Sequence, residues 1–166
     1  MSTILFTAKL DDRDGVGVIR SRIGIEHDAL VFGPDDDLLG LVKVELDKRP
    51  VDCVLIDEAQ FLSKAQVDQL TKVVDERNVP VLTYGIRTDF LGETFEGSRY
   101  LMAWSDEIKE IKAICHCGKK ATMNARVDSS GRMETEGQQI EIGGNERYVS
   151  LCRSCFSTGD TGPSQV

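Results

Sequence analysis

The chain has 166 residues, 40% of them hydrophobic, enough for one domain or for one domain with a small appendage. A formal net charge of −8 and a pI near 4.8 exclude a broad basic surface of the kind that holds nucleic acid or an anionic membrane. There is neither an apolar run of about 18 residues nor a basic-then-apolar amino terminus, so no membrane span and no signal peptide are expected, and the expected compartment is the cytoplasm.

Thr3 to Lys9 predicts a short strand, and Leu10 to Gly24 a polar, Gly-containing loop. Gly15-Val-Gly17 lacks the third glycine and the following helix of a phosphate-binding fingerprint. Asp35, Asp36 and Asp37 precede Leu38, Leu41, Val42 and Leu46, an apolar stripe at helical spacing with acids at its positive end; Pro50 stops that helix. Val51 to Ile56 is mostly aliphatic, which predicts a strand buried on both faces of a parallel sheet. Asp57, Glu58, Gln60 and Phe61 follow at its carboxyl end, where open α/β sheets place their ligands. Two successive acids there can divide a phosphoryl transfer, one reaching a Mg²⁺ ion and the other taking a proton from an attacking hydroxyl. A solvated acidic strand end is the plain alternative.

Ser63 and Gln66 have the spacing of a capping box, Val67, Leu70, Val73 and Val74 form one helical face, and Asn78 suits a carboxyl-terminal cap. Val79 to Tyr84 predicts the strand that completes a βαβ unit. Arg87 to Gly97 reads as a polar loop carrying Phe90 and Phe95. Exposed aromatics there would stack on a flat ligand, and anchoring in the core is an equal alternative. From Glu107 the pattern changes. Glu110 to Cys115, Ala121 to Arg126, Gln138 to Ile142 and Arg147 to Leu151, with a turn at Ser130-Gly131, predict short antiparallel strands. The expected organisation is an α/β core over 1–106, a β module over 107–156 and a disordered tail over 157–166.

Four of the five cysteines form two close pairs, Cys115/Cys117 and Cys152/Cys155, separated by 34 residues. Two such knuckles complete a tetrahedral shell of four thiolates, which selects zinc and, having no open position, makes the site structural. His116 and His27 fall outside that set, and Cys53 reads as a small buried hydrophobe. Just before the second knuckle, Gly143-Gly144 lets backbone approach a ligand closely, so this loop could offer main-chain groups to a planar base; an ordinary β-turn is the alternative.

Asp57-Glu58-Ala59-Gln60-Phe61, Tyr84-Gly-Ile-Arg-Thr-Asp-Phe90, Cys115-x-Cys117, Ile142-Gly-Gly-Asn-Glu-Arg-Tyr148 and Cys152-x-x-Cys155 occur in one order and spacing. In this the chain resembles the type II thymidine kinases, the zinc-containing, tetrameric enzymes of bacteria and animal cytosol, over residues 3 to 156. The resemblance implies a P-loop-NTPase-like (RecA-like) parallel sheet with helices, truncated at its amino terminus, and a small zinc-ribbon β module carrying a lasso loop. It implies transfer of the ATP γ-phosphoryl to the 5′-hydroxyl of thymidine or deoxyuridine, which supplies dTMP for DNA synthesis. Glu58 matches the general base and Asp57 the Walker B acid that organises Mg²⁺. Asp57, Glu58, Ala59 and Gln60 match the nucleotide-binding segment. Phe61, Ile86, Phe90 and Phe95 match pocket positions, with Phe90 against the thymine ring. Gln139, Ile140, Glu141, Ile142, Gly143 and Tyr148 match the lasso that holds the base, and Asp11 and Arg13 stand where the family has residues near the phosphates. Cys115, Cys117, Cys152 and Cys155 match the zinc ligands, and the partners implied are thymidine, ATP and further copies in a homotetramer.

One family element has no counterpart. The sequence contains no G-x-x-x-x-G-K-[ST] and starts at what looks like the family's second strand. That loop cradles the triphosphate and its Lys neutralises the transferred phosphoryl, so these 166 residues alone are expected to be a poor kinase with an open sheet edge. The intact Glu58, lasso and cysteines favour a true start upstream over a decayed copy. Two other functions compete: a non-catalytic relative that binds nucleoside or serves as an inactive subunit, and a helicase-type Walker B protein with a nucleic-acid zinc ribbon. The acidic charge counts against the latter.

Overall fold

A computed structural model describes residues 1–11, 15–21, 23–140 and 147–163. The chain divides into two units, one of Met1–Arg87 with Phe95–Ser105 and one of Thr88–Thr94 with Asp106–Val166.

In the first unit the aliphatic runs pair as parallel strands. β1 (Thr3–Ala8) lies in the interior of the sheet. It pairs on one side with β5 (Cys53–Ile56), in register from Thr3↔Cys53 to Phe6↔Ile56, and on the other with β4 (Leu30–Phe32), from Phe6↔Leu30 to Ala8↔Phe32. β6 (Val81–Thr83) pairs with β5 from Val54↔Val81 to Ile56↔Thr83, completing the order β4-β1-β5-β6. β6 forms one edge of this sheet, and Leu82 on it is 42% exposed.

Helix α1 (Leu38–Lys48) starts at Asp37, whose side chain accepts from Gly40 N, and buries Leu38 and Val42. Helix α2 (Lys64–Arg77) starts at the expected Ser63/Gln66 capping box and ends at Asn78, in the left-handed region at φ 53°. Gln66 does more than cap. Its Nε2 donates to Gly33 O (2.7 Å) and Asp36 O (3.1 Å), tying the start of α2 to the loop before α1. Val67, Leu70 and Val73 join Ile4, Phe6, Phe32, Leu38, Val42, Val54 and Ile56 in one core. Each such fully buried aliphatic or aromatic side chain contributes about 1.5–3 kcal/mol.

Four elements go beyond the sequence reading. β2 (Val18–Arg20), inside the expected loop, pairs antiparallel with β3 (Glu26–Asp28) just beyond it, and β4 is a strand of only three residues. Helix α3 (Glu96–Trp104) starts in the last two residues of the segment read as a loop and continues beyond it. Gly97, which reads as a helix breaker, is there because a Cβ would come within 2.5 Å of Ala59 O; tertiary packing overrides propensity.

In the second unit, β7 (Ala113–Ile114) and β8 (Lys120–Ala121) form one ribbon, and β9 (Met123–Arg126) and β10 (Tyr148–Leu151) another, both antiparallel. The strand expected over Glu110 to Cys115 shrinks to β7. None forms over 138–140, and Glu141 and Ile142 lie outside the described residues. Helix α4 (Arg153–Thr158) runs into the stretch expected to be disordered from residue 157, and the chain stays hydrogen-bonded beyond it. Asp160 N donates to Cys155 O (2.9 Å) and Thr161 Oγ1 to Gly131 O (2.8 Å). The tail lacks an apolar pattern, yet Asp160 and Thr161 find backbone partners, which composition does not reveal. Residues 88–94 also group with this unit rather than with the α/β core in which they were expected. No helix among the described residues is long and apolar enough to cross a membrane.

Candidate active site

Strand β5 delivers the two acids in a fixed geometry. Asp57 N donates to Phe6 O (2.8 Å), holding the strand end in the sheet, and Asp57 Oδ1 accepts from Glu58 N (3.0 Å). Glu58 adopts the left-handed region at φ 51° and ψ 38° and opens a tight turn over Ala59–Phe61. A non-glycine residue held there costs on the order of 1 kcal/mol and persists only where its surroundings enforce it. Those surroundings are visible. Gln60, 3% exposed, donates Nε2 to Glu58 Oε2 (2.5 Å), while its Oε1 accepts from Ile86 N (3.3 Å). One buried carboxamide thus bridges the Glu58 carboxylate to the backbone beyond β6. Gly85 leaves room for it, since a Cβ there would stand 2.7 Å from Gln60 Oε1. Ser98 Oγ fixes the other side of Ile86 by donating to its carbonyl (2.6 Å), and the rings of Phe61 and Phe95 meet edge-on at 5.8 Å. The first unit therefore brings Asp57, Glu58, Ala59, Gln60, Phe61, Ile86 and Phe95 together.

The second unit holds Phe90, Gln139, Ile140 and Tyr148. Phe90 is 1% exposed and Phe95 6%, so the core-anchoring alternative describes both better than an exposed stacking platform. Asp89, also buried, accepts from Leu91 N and Glu93 N on one oxygen and from Gln139 Nε2 (2.8 Å) on the other. Arg126 lies with its guanidinium 3.7 Å from the centre of the Phe90 ring. Thr88 Oγ1 is buried with no hydrogen-bond partner among the described residues. Glu141, Ile142, Gly143 and Arg13 lie outside the described residues; Asp11 N donates to Ala8 O, just after β1.

The four paired cysteines converge, their sulfurs all within 4.8 Å of one another. Cys117 Sγ and Cys152 Sγ are 3.7 Å apart. A tetrahedral shell with metal–sulfur bonds of about 2.3 Å has edges of about 3.8 Å, so the donor set fits a metal ion. Burial opposes ionisation of Cys115, but hydrogen bonds from the Cys117 and Cys152 backbone bring it down to about 6. Burial, and then Cys152, push Cys155 upward, so the four thiols do not ionise together without a cation to hold their charge. His116 is left to the tail, its Nε2 3.0 Å from Asp160 O.

Residues 1–156 match the family model described as Thymidine kinase. The chain belongs to the thymidine kinase family. The thymidine kinase of Vibrio cholerae is 55% identical over 156 residues, spanning 94% of this chain and 81% of that protein. That of Vibrio parahaemolyticus is 57% identical over 158 residues, with the same coverage of each chain. That of Yersinia pestis is 52% identical over 153 residues, spanning 92% of this chain and 78% of the relative. These relatives bear an enzyme's name, and none of the three is described as a binding protein.

In this thymidine kinase family member, sequence reasoning missed Arg126 and Glu134. Arg126 follows buried Ala125 on β9 and is itself 2% exposed, so it breaks the in–out alternation; a cation at such a position is the one signal available. Glu134 accepts from Arg126 Nε (2.5 Å) and from Arg147 Nη2 (2.6 Å). The Arg126 hydrogen bond, followed by its charge and then Arg147, holds the Glu134 carboxyl below its usual 4.5. A depressed carboxylate pKa adds stability that is complete above the unfolded value and is lost as pH falls through the folded one. Urea midpoints of the wild-type chain and Glu134→Gln are therefore expected to differ most above pH 4.5 and to converge in acid. A gap that is constant from pH 7 to pH 3 would contradict this.

Proposed function

We propose that the chain works as a thymidine kinase, moving the γ-phosphoryl of ATP to the 5′-hydroxyl of thymidine or deoxyuridine. The observation that carries this is the Glu58 carboxylate, held in a strained turn at the end of a parallel strand and fixed by Gln60. In this reading Glu58 takes the proton of the 5′-hydroxyl as the hydroxyl attacks phosphorus, and the leaving oxygen departs on ADP. Asp57 holds the Mg²⁺ that accompanies ATP, an ion that neutralises charge on the transferring phosphoryl. Ala59 and Gln60 complete the nucleotide-binding segment, with Asp11 and Arg13 near the phosphates.

Phe61, Ile86, Phe90, Phe95, Gln139 to Gly143 and Tyr148 are assigned to the nucleoside. The buried Thr88 hydroxyl next to Asp89, which has no hydrogen-bond partner among the described residues, supports a polar ligand there, since a group of this kind is normally satisfied. Zinc is the ion assigned to the four cysteines, because a closed shell of four thiolates selects it and leaves no site for water. Residues 1–87 with 95–105 serve as the kinase core, and the unit that holds 88–94 and 106–156 as the zinc-bearing module. The working form is a cytoplasmic homotetramer with no nucleic-acid or membrane partner.

The test is an assay of the protein purified from its native cells, for dTMP formation from labelled ATP and thymidine, with thymidine binding followed by calorimetry. Turnover with saturable thymidine binding is expected; absence of both would overturn the reading. The intact mass belongs beside the assay, because the 166 residues contain no G-x-x-x-x-G-K-[ST] loop. A mass above 18.4 kDa, with an amino-terminal extension that carries a Gly-Lys-Ser or Gly-Lys-Thr loop, would supply the further triphosphate contacts.

A further inference from the structure

We infer that residues 107–112 form an antiparallel ribbon with the same residues of a second copy of the chain, as one contact of the oligomer. This rests on the homo-oligomer assigned to the working form and is independent of the catalytic assignments.

Glu107-Ile-Lys-Glu-Ile-Lys112 leads into β7 in the second unit. The strand expected over Glu110 to Cys115 pairs only at Ala113–Ile114, with Lys120–Ala121. Among the described residues, no backbone group from 107 to 112 makes a hydrogen bond. The six contain neither proline nor glycine, and none has a positive φ, so each can donate and accept in a ladder. Ile108 and Ile111 are 64% and 82% exposed, and Ile114 is exposed as well. Single surface hydrophobics are ordinary; three within one unpaired stretch mark a surface that something covers.

The order of the charges says what covers it. Charged side chains along an unpaired strand usually keep other chains away. Here their order favours one partner. Two copies set antiparallel about the midpoint of Lys109 and Glu110 bring Glu107 opposite Lys112, Ile108 opposite Ile111 and Lys109 opposite Glu110, and the two-fold axis repeats each pairing. Four opposite-charge pairs and two isoleucine pairs result, with no like charges facing. Directly opposite residues share a face, so each face of the ribbon carries one isoleucine pair and two ion pairs. A shift by one residue sets Lys109 or Glu110 against its own copy, and a parallel alignment in register sets every charge against its like. The segment therefore specifies one partner, one direction and one register.

Within the chain, Glu107 pairs with Lys109 (3.2 Å) and Glu110 with Lys120. Contacts this exposed contribute little and exchange readily for partners across a ribbon. Six residues a side are fewer than the roughly 20–30 of a standard interface, so the ribbon supplies specificity more than area.

The test is sedimentation velocity over a concentration series on the wild-type full chain, Lys109→Glu, and the double variant Lys109→Glu/Glu110→Lys. Circular dichroism and bound zinc check folding, which a substitution at so exposed a residue as Lys109 leaves intact. Lys109→Glu turns two attractive pairs into two repulsive ones, so its assembly is expected to need about tenfold or more protein. The double variant makes every pair complementary again and is expected to recover assembly. Salt at about 0.5 M should narrow the difference between Lys109→Glu and wild type. A Lys109→Glu chain that assembles like wild type, or a double variant that stays as weak as the single one, overturns the inference alone. A wild-type chain that remains monomeric overturns it together with the homo-oligomer, and leaves the kinase reading to its own assay.

Discussion

Glu58→Gln is expected to lower thymidine phosphorylation by about 10²- to 10⁴-fold, the usual contribution of a positioned general base, while thymidine still binds. The substitution is nearly isosteric and leaves the left-handed turn, the Ala59 N to Tyr84 O hydrogen bond and the Phe61–Phe95 contact in place. What it removes is the group that accepts the proton. The new carboxamide also meets the Gln60 carboxamide where a carboxylate stood at 2.5 Å, and the two amides can still pair by reorienting. The loss should therefore fall on kcat rather than on KM. Steady-state kinetics with calorimetric thymidine binding separate the two, and a Glu58→Gln enzyme within about threefold of wild-type kcat would remove Glu58 from the base role.

Removing the metal is expected to unfold the second unit. Its core is thin, since three of the six fully buried residues in the cluster, Cys115, Cys152 and Cys155, belong to the candidate ligand set, and the others are Ala121, Ala125 and Leu151. Helix α4 has six residues, too short to stand unaided, and its cap is Cys152 itself, whose sulfur accepts from Cys155 N at 3.5 Å. Binding of structural zinc to small domains supplies about 10–16 kcal/mol, and no ledger of alanines replaces that. A strong chelator should release one ion per chain, detected with a chromophoric indicator, and the strand signal in circular dichroism should fall with it. Thymidine binding should disappear in the same step. A chain that keeps its far-ultraviolet spectrum with no ion bound would show that the cysteines pack without one.

The parts of the molecule written in local chemistry were legible. The Ser63/Gln66 box, the Asn78 cap, the Asp37 start and the aliphatic run into β5 each depend on residues within a few positions of one another. The acid pair and the cysteine knuckles were legible for the same reason. Distant contacts were not. Helix α3 follows from Gly97 fitting against the turn at Ala59, and the burial of Phe90 from a guanidinium 36 positions away. Glu58 could be singled out from sequence, but its left-handed backbone and the Gln60 bridge to Ile86 could not, because they need β5 and β6 side by side.

The way the chain closes over the first cysteine knuckle bears on how this protein should be handled at the bench. Gly162 lies so close to His116 that a Cβ would come within 2.7 Å of the imidazole, and Asp160 hydrogen-bonds back to Cys155. The seven residues after Phe156 are thus part of the folded unit, although they resemble dispensable linker. Expression boundaries drawn just after the last cysteine would strip a lid from the knuckle. Affinity tags, fluorophores and surface tethers belong after residue 163, where they leave that lid closed.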